Sequence, residues 1–284
     1  MARHNLMGHV SDRTQPETIP RHVLWATATF LAIFPLIAVN STSWGMRLLW
    51  IGFLAMGGFI GFMARMREQT DPELHKYAEL QRKGPFVRRY RPIVIAMILG
   101  ALLVAELLSV AATYATPDRP FLWHGTMLIA QWGDSIFPLI GKYATRMTPP
   151  LDTETLYKTQ AVTTLFLSAG AVAFVVFAPY VILMPQEEAR AAHRVSDMMD
   201  PYRFLPVPAM ILAPIAILFG LTFFLGWLEF NGYGRKSYCV FSAICYAQDD
   251  LMLIASGFLR VFGSYGFWLA GIIIAKKEVT AEPS

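Results

Sequence analysis

Six apolar runs of 17 to 25 residues, at positions 23–39, 44–63, 93–115, 161–184, 207–230 and 251–275, constrain this chain more than any other feature. A helix needs roughly 20 mostly apolar residues to cross a hydrocarbon core about 30 Å thick. In that medium each backbone N–H and C=O must be satisfied inside the segment, which leaves the α-helix as the spanning form for such runs. The sequence therefore predicts an all-α fold, a polytopic membrane helix bundle of about six transmembrane helices. Composition agrees: 15 % of residues are charged and 55 % apolar, against about 25 % and 45–50 % in soluble domains. The first run is short and contains Pro35, and Asn40-Ser41-Thr42-Ser43 closes it with the second into a hairpin. No small-residue cleavage site accompanies the first run, so it reads as a retained helix rather than a signal peptide.

Orientation follows from the excess of Lys and Arg in cytoplasmic loops. With the N-terminus inside, sixteen basic residues fall in inside segments and six in outside ones, while Arg47 and Arg260 lie within spans. The expected arrangement is N-in and C-in, with cytoplasmic tails at 1–22 and 276–284 around a transmembrane domain at 23–275. The expected location is the plasma membrane as a multi-pass protein. Arg outnumbers Lys 17 to 7, which suits a GC-rich bacterial coding sequence and hence a bacterial inner membrane. The net charge of +4 serves orientation here, and no direct nucleic acid partner is expected. Cys239 and Cys245 share one loop that this topology puts outside, in an oxidising compartment, so a disulfide between them is expected.

Between the spans, Asp71, Pro72 and Glu73 signal a helix start, and Gly84-Pro85 its end. Leu74, Ala78 and Gln81 form one side of that helix. Arg88, Arg89 and Arg91 then stand just inside the third span, where they would contact anionic lipid headgroups as well as orient the chain. A second cytoplasmic helix is expected to start at Pro185, with Glu187 and Glu188 in its first turn, and to end at Asp200-Pro201. The external stretch 121–143 places His124, Gln131, Ser135 and Lys142 on one face, opposite Phe121, Leu128, Trp132, Ile136 and Leu139. That pattern predicts an interfacial helix, or a re-entrant one broken near Pro138. A seventh span there would move the C-terminal lysines and both cysteines to the wrong sides.

Two ionisable residues fall deep within spans, Glu106 in the third and Arg260 in the sixth. Counted from the inner ends of their runs they differ in depth by about 3 Å, and an unpaired charge near the midplane costs roughly 2.5–3.5 kcal/mol. An intramembrane ion pair between Glu106 and Arg260 is expected, either as a packing device or as a proton or ion gate. Gly57 and Gly61, and likewise Ala169 and Ala173, make small-residue faces that allow close helix approach. The partners expected are the lipid bilayer and other membrane proteins, or a second copy through such faces.

No histidine sits mid-span, no Asp lies within a span, and the HExxH, GxSxG, phosphate-loop and Gly-rich dinucleotide patterns are all missing. No catalytic residue, metal site or cofactor is expected. The leading functional expectation is a non-enzymatic membrane subunit of a larger assembly, of the secretion or conjugation type. The alternative is a small transporter or channel using Glu106 and Arg260. A third is a lipid-modifying enzyme with His124 and Asp134 at the outer interface.

Overall fold

The computed structural model describes residues 21–39, 44–136, 152–199, 250–261 and 265–280. Its ordered elements are helices: α1 (Arg21–Ala38), α2 (Trp44–Thr70), α3 (Pro72–Lys83), α4 (Pro85–Thr113), α5 (Pro120–Ile136), α6 (Thr153–Leu183), α7 (Gln186–Met199), α8 (Asp250–Val261) and α9 (Phe267–Thr280). No strand occurs among the described residues. Among the described residues two helices, α4 and α6, are long and apolar enough to cross a membrane. The expected fifth span and both cysteines lie outside the described residues. The expected sixth span is divided between α8 and α9.

Local signals set several helix ends. The Asp71 carboxylate accepts hydrogen bonds from the backbone N–H of Glu73 (3.0 Å) and Leu74 (3.1 Å), satisfying two of the donors a helix start leaves open. Asp152 does the same for α6 through the Thr155 N–H at 3.3 Å. As a result α6 begins eight residues ahead of the expected run, and α4 likewise starts at Pro85 rather than at residue 93. Arg88, Arg89 and Arg91 thus stand on the opening turns of α4, all exposed.

The α1–α2 hairpin is tied by Trp50 Nε1, which donates to the Ala32 carbonyl at 2.8 Å. Arg47 donates to the Val39 carbonyl at 3.3 Å, just past the end of α1, where a cation complements the negative helix terminus. The principal packing is α4 against α6. Phe86 stacks on Tyr180 with ring centroids 5.6 Å apart, near the start of one helix and the end of the other, so the two run antiparallel. Phe166 meets Phe258 at 4.7 Å, Phe174 meets Trp268 at 5.9 Å, and Lys276 donates to the Ile182 carbonyl at 2.8 Å. These contacts advance together along both partners, so α8 and α9 run parallel to α6. The core lies between them, where Ala105, Val110, Val162, Phe166, Leu253 and Ile254 are buried in one cluster. At the base of the bundle, α3 and α7 pack together across the start of α4.

Helix α5 runs alongside α6 rather than across its end. Trp123 meets Tyr157 edge-on at 6.0 Å, and Gly133 lies against Thr164, so the two helices are parallel. A Cβ at Gly133 would fall 1.7 Å from Thr164 Oγ1, so only glycine permits this approach. The buried stripe of α5 is Thr126, Ala130 and Gly133. Both faces singled out in the sequence point away from the bundle: His124, Gln131 and Ser135 are exposed, and so are Phe121, Leu128, Trp132 and Ile136. Small side chains win the contact because they let two helix backbones approach closely.

Candidate functional site: a buried polar seam

Where α4, α5 and α6 meet, the apolar core is interrupted by polar side chains. Glu106, Ser109 and Thr113 follow one another at helical spacing on α4, and Thr159, Gln160, Thr163 and Thr164 do so on α6; all are buried, with Glu106 at 0 % and Gln160 at 1 % exposure. Thr126 of α5 is buried as well. The antiparallel register brings the two sets to one level. From the Phe86–Tyr180 contact, twenty residues along α4 lead to Glu106, and twenty residues back along α6 lead to Gln160.

Several hydroxyl groups of the seam spend their protons on their own helices. Thr159 Oγ1 donates to the Thr155 carbonyl at 2.7 Å, Thr164 Oγ1 to the Gln160 carbonyl at 2.8 Å, and Thr113 Oγ1 to the Val110 carbonyl at 2.7 Å. Their oxygens are left able only to accept, and Thr164 Oγ1 already accepts from Gln160 Nε2 at 3.5 Å. Among the described residues, neither oxygen of Glu106 has a hydrogen-bond partner, and neither does Ser109 Oγ. A carboxylate buried in this way carries a desolvation penalty of several kcal/mol unless a proton or a counter-charge neutralises it.

The side chain of Arg260, the expected counter-charge, lies outside the described residues. Its place on α8 follows from the backbone. Phe258 packs on Phe166, which is six residues past Gln160, so Arg260 sits about eight residues, or about 12 Å, nearer the base than Glu106. The sequence-based separation was about 3 Å; it differs because the inner ends assigned to the two runs do not lie at one level.

Arg88, Arg89 and Arg91 form an exposed basic edge, with the Arg89 guanidinium 5.4 Å from the Tyr90 ring centre. His124, Gln131 and Ser135 are exposed on α5, and the Ser135 hydroxyl donates to the Trp132 carbonyl at 2.6 Å. Lys142, Cys239 and Cys245 lie outside the described residues. His124 and Asp134 are ten residues apart on one helix, about 15 Å along its axis, so they do not form one centre. No cluster of three or more His, Cys, Asp or Glu side chains suited to a metal ion occurs among the described residues. Sequence reasoning identified Glu106 but missed Ser109, Gln160, Thr163 and Thr164. The signal was the polar spacing of Thr159, Gln160, Thr163 and Thr164 at the head of an apolar run, cut by placing the span boundary at 161.

No protein-family model, curated protein or solved structure matches this chain.

Proposed function

We propose that the chain is a non-enzymatic, multi-pass integral membrane subunit of a larger assembly, with about six spans and both termini on the cytoplasmic side. The observation that carries this reading is the open face of α2. Gly57, Gly58 and Gly61 meet no neighbouring atom within 4 Å among the described residues, and Phe59, Phe62 and Met63 beside them are exposed. An apolar helix face with small residues is what a second transmembrane helix packs against. The helix directions are those of alternating spans: α1 and α2 form a hairpin, α4 opposes α6, and α8 and α9 follow α6; the N-in start rests on the distribution of Lys and Arg. The course of α5 alongside α6 supports the re-entrant placement of that segment over the interfacial one.

Native mass spectrometry from lipid patches, with a tag on the C-terminus, tests the reading. Recovery with other membrane proteins in fixed ratio is expected, and Gly57→Ile with Gly61→Ile should abolish it. Recovery of the wild-type chain alone would overturn it. A second reading, a small transporter or channel, is favoured by the buried Glu106 carboxylate. Its test is ion flux into liposomes, lost in Glu106→Gln.

A further inference from the structure

We propose that the polar seam between α4, α5 and α6 binds a small monovalent cation of the sodium class, with the Glu106 carboxylate as its charged ligand and neutral oxygens around it. The donor set is the reason. Glu106 supplies two oxygens without a hydrogen-bond partner among the described residues, and Ser109, one turn further along α4, supplies a third. Thr159, near the level of Glu106 on α6, has given its hydroxyl proton to a backbone carbonyl and presents lone pairs only. An oxygen-rich set around one carboxylate suits a hard cation.

Charge balance selects the valence. One carboxylate and one monovalent cation leave the interior neutral, whereas a divalent ion would leave a net positive charge among Ala105, Val110, Val162 and Phe166, at a large desolvation cost. An anion would meet the Glu106 charge directly and is disfavoured on that ground. The close contact of Gly133 with Thr164 brings α5 up to the seam as its third wall and shields the site from the surroundings. The proposal deepens the transporter reading, but it concerns binding alone. It is measured apart from flux and from partner recovery, so an ion that binds without moving would sink only the transporter reading.

The test uses the full chain in lipid nanodiscs at pH 8, comparing thermal unfolding in sodium chloride and choline chloride of equal ionic strength, with isothermal titration of sodium. A ligand that binds only the folded state raises its stability in proportion to RT ln(1 + [L]/Kd). A saturable rise in Tm with sodium and none with choline is expected, absent in Glu106→Gln and retained in Arg260→Gln. Should Glu106→Gln fail to fold, Ser109→Ala decides; it keeps the apolar packing and should weaken sodium binding about tenfold, the size of one polar contact. Equal effects of sodium and choline would overturn the proposal, as would a Tm that follows pH and ignores the cation, marking a protonated carboxyl. So would a sodium effect that appears only in Arg260→Gln, marking a carboxylate already held by that arginine. An affinity unchanged in Ser109→Ala would overturn the ligand set.

Discussion

Glu188 caps a helix that begins a hundred residues before it. Its carboxylate, in the first turn of α7, accepts from the backbone N–H of Phe86 at 3.2 Å and of Val87 at 2.9 Å, at the opening of α4. Gly84, the residue before α4, offers no side chain for the purpose. One buried carboxylate therefore sits against two positive helix ends, its own and that of α4. A Cβ at Gly84 would fall 2.3 Å from Glu188 Oε2, so glycine is required by proximity rather than by backbone angle.

Removing this cap should be costly. Hydrogen bonds to a charged group contribute about 1.5–3 kcal/mol, and Glu188→Ala should destabilise the protein by about that amount, with Glu188→Gln losing less. Gly84→Ala should cost a similar amount by displacing the carboxylate. The double variant should cost little more than either single one, since both break the same contact. Thermal unfolding of the four proteins in one detergent checks this; additive losses would show that the two residues act separately.

On α5, two glycines should behave oppositely. Gly133→Val drives a side chain into Thr164 and should cost about 1–3 kcal/mol through overpacking. Gly125 has nothing within 4 Å of a Cβ among the described residues, so Gly125→Ala should be neutral or stabilising by up to about 1 kcal/mol from helix propensity. Melting temperatures of the two variants provide the comparison.

His193 on α7 is half-buried, and its Nε2 has no hydrogen-bond partner among the described residues. Burial, and after it the nearby Lys277 ammonium, hold the imidazole below its ordinary value, opposed by Asp197 and reinforced by Lys276. The folded state therefore binds this proton less readily than the unfolded chain. Stability is fully present above the unfolded value near 6.5 and falls as pH drops from there through the folded value. His193→Gln should flatten this part of the stability–pH curve, read by thermal unfolding between pH 5 and 8.

The ion pair between Lys277 of α9 and Asp197 of α7 joins two helices at the base, yet both side chains are more than 40 % exposed. Exposed pairs contribute about 0.2–1 kcal/mol and are weakened by salt. Asp197→Asn should lower stability by no more than about 1 kcal/mol, and the difference should vanish in high salt, in contrast to Glu188.

The helical character of the described segments and the bounds of α3 were legible in the chain itself. Apolar period and length predicted the helical course of α4 and α6, and Asp71-Pro72 and Gly84-Pro85 marked the bounds of α3, because hydrophobic patterning and capping act over a few residues and leave a local trace. Glu106 was legible for the same reason, as a charge standing alone in an apolar run. What it faces was not. The level of Gln160 opposite Glu106, the Glu188 cap on α4, the glycine contact between α5 and α6 and the position of Arg260 nearer the base all depend on register and rotation between helices far apart in the chain. Those are decided by which side chains interdigitate when the helices pack, and only the tertiary structure records the outcome.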